Sequence, residues 1–320
     1  MTPFFTFALA GLLTAWLAGR FTPILIQDTP NERSLHARPT PRTGGVAILL
    51  AVTVGVWMLF RESGLPWWCV GPALTTLIIA VVSLLDDLIG LSPVFRLPVH
   101  LFAAALVVLE SSDISLWLSM MGILMLTWMV NLYNFMDGMD GFAGAMAVIG
   151  FAALAWAGWR AGDEAFASVA LVVAAAAAGF LVFNLPPARI FMGDVGSATL
   201  GLLAGALSWQ GWRLGLFPVA YPLLVFSPFI VDATVTLLRR IVRGEKFWQA
   251  HREHYYQRLV LAGWSHGRTL AAEVMLMLAA AGSAMGLLAH PDWWPLATGV
   301  WIAVYIALGC LVDRWVRTRV

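Results

Sequence analysis

Charged residues are scarce in this chain. Only 12% of its 320 residues are Asp, Glu, Lys or Arg, while 60% are hydrophobic and the mean hydropathy is +0.82. A soluble domain carries about twice that share of charge. Long polar stretches are also lacking, and the longest, residues 239–268, is too small to fold alone. These absences exclude a soluble globular enzyme, and the net charge of +1 gives no reason to expect a nucleic-acid partner.

Cysteine is nearly absent as well. Cys69 and Cys310 fall in or beside apolar segments without the spacing of metal ligands, so we interpret both as packing residues. The first four residues contain no basic side chain and precede no small-residue cleavage site. We therefore expect a first membrane helix there rather than a cleaved signal peptide.

Apolar segments recur along the whole length. They predict an all-α fold, a polytopic membrane helical bundle that forms a single integral membrane domain over residues 1–320. Residues 174–178 are all alanine, which would permit close helix packing in the seventh segment. We expect about eleven transmembrane helices, at 4–22, 44–60, 67–85, 97–110, 116–133, 142–159, 165–183, 197–212, 216–238, 269–288 and 295–312.

The basic residues predict the orientation. If the N-terminus lies outside and the C-terminus is cytoplasmic, sixteen Lys and Arg residues face the cytoplasm and only Arg61, Arg160 and Arg213 face outward. We therefore expect a multi-pass membrane protein in this orientation. Every acidic motif then falls in a cytoplasmic segment, so the active site would face the cytoplasm. These segments are 23–43, 86–96, 134–141, 184–196 and 239–268.

Three acidic motifs are costly in so apolar a chain, and such carboxylates usually mark a site for ions or charged substrates. Asp86 and Asp87 end the third span, and two adjacent carboxylates near lipid need a cation or a shared proton. Asp194 lies in the turn that opens the eighth span, where free helix amides attract anions and Ser197 leaves room for a phosphate. A solvated helix end and an ordinary cap are the alternatives.

The motif at 134–141 combines an amide with two carboxylates. Asn134 can donate and accept hydrogen bonds, which suits a base or a sugar. Asp137 and Asp140 are spaced so that a helical turn would place them on one face. The alternative is a cap and turn built from Asn, Asp and Gly.

Basic and imidazole side chains accompany these acids. His251, His254 and Arg258 in the last cytoplasmic segment, and Arg42 in the first, are candidates for binding a pyrophosphate. Zinc on the His-x-x-His pair is disfavoured, because no third ligand stands nearby and the acidic motifs suit a hard metal. The basic residues could instead face anionic lipid.

Taken together, the ordered motifs resemble those of the polyprenyl-phosphate N-acetylhexosamine-1-phosphate transferases of glycosyltransferase family 4. The resemblance covers residues 28 to about 268. It implies transfer of a sugar-1-phosphate from a UDP-N-acetylhexosamine to undecaprenyl phosphate in the bilayer of the bacterial cytoplasmic (inner) membrane, with release of UMP. It also implies Mg²⁺, or Mn²⁺, as cofactor, and a homodimer. The matching residues are 30–34, 41–45, Asp86-Asp87, the Asn and Asp residues of 134–141, and 192–197.

The resemblance also assigns roles. Asp86 and Asp87 inherit the catalytic centre, Asp194 and Asp87 the metal, and Asn134, Asp137 and Asp140 the nucleotide and sugar. His254, His251, Arg258, Arg42 and Ser197 would then contact the pyrophosphate.

One departure bears on the substrate. Relatives carry further histidines where this chain has Tyr256 and Gln257, and the triple histidine of the peptidoglycan branch is lacking. The pattern is similar to the branch that starts O-antigen or other surface polysaccharides from UDP-GlcNAc or deoxy derivatives such as N-acetylfucosamine and N-acetylquinovosamine.

Two rival functions are weaker. An ion-coupled transporter would place acids at mid-span between inverted repeats, whereas these acids lie at predicted span ends. A CDP-alcohol phosphotransferase would continue its Asp-Gly motif to Ala-Arg, which the residues from Asp137 onward do not.

Overall fold

The computed structural model describes residues 1–19, 26–29, 35, 39–110, 114–246 and 251–319. The all-α expectation holds, apart from one antiparallel ribbon of β1 (Gln27–Asp28) and β2 (Thr40–Pro41) in the first predicted loop. A short 3-10 turn, Pro291–Trp293, precedes the last helix. The helices are α1 Thr2–Leu17, α2 Gly44–Phe60, α3 Trp67–Ile89, α4 Pro93–Val108, α5 Leu116–Met136, α6 Phe142–Arg160, α7 Glu164–Asn184, α8 Gly193–Arg213, α9 Ala220–Val225, α10 Ser227–Val242, α11 Tyr255–Leu261, α12 His266–Leu287 and α13 Trp294–Arg317.

The chain is a multi-pass membrane protein. Among the described residues, 6 helical segments are long and apolar enough to cross a membrane, namely α3, α5, α6, α7, α12 and Pro291–Arg317. The apolar helices α1, α2 and α4 are shorter. Each predicted span overlaps a helix, but the number of crossings and the orientation of the termini stay predictions.

The ninth predicted span, 216–238, is not one helix. It consists of α9 and α10, which are separated at Phe226. Pro222 lies in α9, and Pro228 occupies the first turn of α10, where its missing N–H breaks no helical hydrogen bond. The polar segment 239–268 is also partly helical, because α10 continues to Val242 and α11 lies within it.

The alanine-rich helix α7 packs against α1, α2 and α6. Ala174, Ala176 and Ala177 are buried, which confirms the expectation of close packing in this segment. The approach is closest at Gly179, where an added Cβ would lie 2.4 Å from the carbonyl oxygen of Phe7 in α1. A larger side chain there would push α1 away.

Four helix ends meet on one side of the bundle: the starts of α2 and α8 and the ends of α3 and α5. The amide of Gly44 donates to the Phe191 carbonyl at 2.9 Å, and that of Gly45 donates to the Met192 carbonyl at 2.8 Å. A Cβ on Gly45 would lie 2.1 Å from the Gly196 nitrogen. The glycine pair therefore brings the backbones of α2 and α8 together and places the preceding Arg42 beside the turn at 192–197.

Candidate active site

The carboxylate of Asp87 lies at the N-terminus of α8. It accepts hydrogen bonds from the amides of Asp194 at 3.4 Å and Val195 at 3.3 Å, and Arg42 Nε lies 3.5 Å from the same carboxylate. Only 2% of the Asp87 side chain is exposed. The sequence predicted an anion at this helix start, and in the structure it is the protein's own Asp87. Asp87 thereby joins α3, α8 and the first loop.

Asp86 points to a different partner. Its Oδ2 forms an ion pair with Arg96 Nη1, and the same guanidinium nitrogen lies 3.3 Å from Asp194 Oδ2. The amide of Leu91 donates to Asp86 Oδ1 at 2.6 Å. The carboxyl groups of Asp86 and Asp194 also approach closely enough to hydrogen-bond to each other. Two carboxyl groups this close need a shared proton or a cation.

Asn134 connects α5 to this acidic pair. Its Nδ2 donates to Asp194 Oδ1 at 3.0 Å and lies 3.1 Å from Ser197 Oγ. Ser197 Oγ in turn donates to the Gly193 carbonyl at 3.2 Å. The structure therefore brings together Asp86, Asp87, Asp194, Asn134, Ser197 and Arg42.

Asp137, just after α5, belongs to the same acidic region. Burial, followed by the charges of Asp194, Asp87 and Asp28, raises its pKa well above the ordinary value for aspartate. Within the described part of the chain, no group donates a hydrogen bond to its carboxylate. A bound cation or hydrogen-bond donor would therefore strongly favour the ionised form of Asp137.

Asp140 does not share a face with Asp137. Residues 137–141 form a turn rather than a helical segment, so the helical spacing argument is wrong for this pair. The carboxylate of Asp140 accepts the amide of Ala188 at 3.1 Å and lies 3.3 Å from His266 Nδ1. In this structure Asp140 fastens two neighbouring segments, and its contact with a nucleotide stays a prediction.

The polar segment 239–268 contacts the acidic region through α11. Tyr256 Oη donates to the Phe135 carbonyl at 3.3 Å and also meets the amide of Gly138. His254 is only 3% exposed, and the ring of His251 lies against it with centroids 4.9 Å apart. Burial lowers the pKa of His251 to about 4, so it is neutral at physiological pH. Arg258 points away, pairing with Asp313 at 2.6 Å. Pyrophosphate binding by these residues stays a prediction.

The oxygen-rich donors fit a hard divalent cation. The Arg96 guanidinium contacts both Asp86 and Asp194 and supplies the positive charge between these two carboxylates. Among the described residues, no three His, Cys, Asp or Glu side chains form a ready metal site. Mg²⁺ commonly uses one or two carboxylates and completes its shell with water and substrate phosphate. The lack of a three-ligand cluster among the described residues is therefore compatible with a magnesium site.

Comparisons with known proteins decide the family. A model of "Glycosyl transferase family 4" matches residues 69–211. A probable undecaprenyl-phosphate N-acetylglucosaminyl 1-phosphate transferase of Bacillus subtilis (strain 168) is 31% identical over 257 residues, which is 75% of this chain and 71% of the relative. The chain belongs to glycosyl transferase family 4. It is a transferase embedded in a membrane.

Other relatives are named for different substrates. A decaprenyl-phosphate N-acetylglucosaminephosphotransferase of Mycolicibacterium smegmatis is 30% identical, covering 92% of this chain and 84% of the relative. A phospho-N-acetylmuramoyl-pentapeptide-transferase of Anoxybacillus flavithermus is 26% identical, covering 83% and 91%. Both names describe transfer of a phosphate-linked sugar.

Some residues at the site escaped the sequence analysis. Arg96 is among the predicted cytoplasmic basic residues, and it follows the acidic pair in the first turn of the next helix, α4. Tyr256 was noted for the histidine it replaces, and its contact with 134–141 had no signal in the sequence. Residues 30–34, which carry part of the family resemblance, lie outside the described residues.

Proposed function

We propose that this transferase moves an N-acetylhexosamine-1-phosphate from a UDP-sugar to undecaprenyl phosphate and releases UMP. The observation that carries the proposal is the meeting of four motifs, from α2, α3, α5 and α8, around the carboxylates of Asp86, Asp87 and Asp194. A site at helix ends beside lipid suits one water-soluble and one membrane-borne substrate. The names of the relatives agree with this reaction.

The reaction is a displacement at the phosphorus that carries the sugar. An oxygen of the lipid phosphate forms a new bond to that phosphorus, and the bond to the UMP oxygen breaks with its electron pair leaving on UMP. Asp86 receives the proton of the lipid phosphate, and Arg96 beside it compensates the charge. A two-step route through an aspartyl-phosphate would give the same products.

A divalent cation, Mg²⁺ or Mn²⁺, would be held by Asp194 with Asp87 and Asp86. When bound, it supplies positive charge that offsets the charge developing on the phosphate oxygens. Asn134, Asp137 and Asp140 would contact the nucleotide or the sugar. Arg42, Ser197, His251, His254 and Arg258 would contact the pyrophosphate.

The proposed donor is UDP-GlcNAc or a deoxy derivative, and the proposed pathway is the first membrane step of a surface polysaccharide such as O-antigen. Support comes from Tyr256 and Gln257, which stand where the peptidoglycan branch carries histidines. The site would face the cytoplasm, where UDP-sugars are made, and the chain would form a homodimer.

The test uses purified protein, Mg²⁺, undecaprenyl phosphate and a panel of UDP-N-acetylhexosamines. We expect UMP and a lipid-linked product with one donor, and loss of both with EDTA. Asp86→Asn should abolish turnover while UDP-sugar binding remains. No product and no nucleotide affinity with any donor would overturn the proposal and favour an ion-coupled transporter.

A further inference from the structure

Asp232, which the proposed reaction does not use, is a buried carboxylate in the second turn of α10. It is 8% exposed and lies among hydrogen-bond donors from a different part of the chain. His254 Nδ1 lies 3.2 Å from its Oδ1, and the amide of Tyr255 donates to the same oxygen at 3.0 Å. The amide of Tyr256 donates to Oδ2 at 3.3 Å. One side chain thus holds three consecutive residues of the last cytoplasmic segment.

These contacts fix the imidazole of His254. A carboxylate can only accept, so in the contact with Asp232 the Nδ1 nitrogen carries the proton. The ring is then held between Asp232 and two neighbours, since His251 lies on it at 4.9 Å and Tyr256 stacks at 5.9 Å. Loss of the carboxylate would remove the ring's hydrogen-bond partner on α10.

The Asp232 carboxylate also stabilises the start of α11. The amides of Tyr255 and Tyr256 are among the helix N-terminal donors that have no partner within the helix, and Asp232 satisfies both. Tyr256 then reaches the turn after α5, where its hydroxyl meets the Phe135 carbonyl and the Gly138 amide. A displacement of α11 would therefore be transmitted to Asn134 and Asp137.

We propose that Asp232 is a positioning residue for the transfer reaction, acting through His254 and the start of α11. This inference rests on the proposed function, because it assumes that the last cytoplasmic segment binds the nucleotide donor. Asp232 itself would touch no substrate. Its removal should raise the KM for the UDP-sugar, leave the KM for the lipid phosphate nearly unchanged, and act only while His254 is present.

The experiment compares Asp232→Asn, His254→Gln and the double variant in the transfer assay with UDP-sugar and undecaprenyl phosphate. Loss of a residue that orients a metal-ligating histidine typically costs about 10- to 100-fold, and we take the same range for His254. We expect a loss in that range for Asp232→Asn and no further loss in the double variant, since the two residues act as a unit. Partial recovery with Asp232→Glu would support the role.

Two controls separate positioning from general folding. Thr236→Val removes a donor to Asp232 at 3.1 Å but leaves the three contacts to the last segment, so it should keep activity. The melting temperature of each variant reports folding independently. Additive losses, or equal rises in both KM values, would overturn the inference. An inactive wild-type protein would instead overturn the proposed function, whereas active wild type with unaffected Asp232→Asn would overturn only this inference.

Discussion

The acids of the site have different partners, although the sequence presents them as similar motifs. Asp87 accepts the first amides of α8, Asp86 pairs with Arg96, and Asp137 has no donor among the described residues. The acids therefore differ in how readily each could contact a ligand. Asp87 joins structural elements, whereas Asp86 and Asp194 could exchange Arg96 for a cation.

Asp87→Asn should abolish most of the transferase activity. The neutral Asn side chain cannot balance the positive charge of Arg42. Its N–H₂ group can also face the backbone N–H groups of α8, which are donors too. Both the α3–α8 junction and the metal ligands are then disturbed. We expect turnover to fall by at least about 100-fold, measured as UMP release. Glu110→Gln is the matched control, because Glu110 follows α4 and contacts Gly71 and Gln210 rather than the acidic motifs. Equal activity in both variants would contradict the assignment.

Asp137 predicts a pH dependence of stability. Its pKa is raised in the folded protein, so at a pH between the unfolded and the folded pKa the unfolded chain has lost a proton that the folded chain retains. The stability of the metal-free protein therefore falls as pH rises from the ordinary aspartate value towards the raised pKa. Asp137→Asn should raise the melting temperature at pH 8 in EDTA, and the gain should shrink towards pH 4. A gain independent of pH would contradict this account.

At this scale the sequence predicted that acidic motifs distant in the chain lie on one side, because an isolated carboxylate near lipid is too costly to lack a function or a partner. It wrongly placed Asp140 on one face with Asp137. It could not predict their partners. The Asp140–His266 and Asp232–His254 pairs join residues distant in the chain, and their contacts depend on how the helices pack.

At the scale of elements, the contact between α2 and α8 positions the first loop over the acidic motifs. This contact requires glycine at the start of α2, because the backbones of Gly45 and Gly196 lie against each other. The amides of Gly44 and Gly45 also bind the chain that precedes α8. The motif around Arg42 is therefore a packing motif as well as a candidate phosphate contact.

Gly45→Ala should destabilise the protein. Its Cβ would meet backbone atoms at 2.1 Å, so the helices must separate. Overpacking of this kind costs about 1–3 kcal/mol, which should lower the melting temperature and the activity together. Gly282→Ala in α12 is the matched control, because its Cβ would meet nothing within 4 Å. Similar melting temperatures for the two variants would contradict the proposed contact.

The sequence predicted the helical segments well, because apolar runs of this length have few other stable structures in a bilayer. The break at Phe226 and the helix α11 were not predicted. The first interrupts a continuous apolar run, and the second is a seven-residue helix whose start is stabilised by Asp232 from another element. Local sequence patterns carry no information on a stabilising contact from a residue as distant in the chain as Asp232.

At the scale of the whole molecule, orientation decides whether the acidic region meets nucleotide sugars in the cytoplasm. The positive-inside pattern predicts that it does, with the turn at Gly162 outside and the turn at Gly244 inside. In a cysteine-free background, Gly162→Cys should react with a membrane-impermeant maleimide in intact cells. Gly244→Cys should react only after lysis. The reverse pattern would place the site on the wrong side for the proposed donor.

The most direct test of the central claim follows the phosphorus that carries the sugar. Purified protein would be given Mg²⁺, undecaprenyl phosphate and the accepted UDP-sugar, radiolabelled at that phosphorus. If the chain transfers a sugar-1-phosphate, the label enters the lipid and the released nucleotide is unlabelled UMP. If the label instead remains on released UDP while the sugar alone enters the lipid, the displacement does not occur at phosphorus and the account is contradicted.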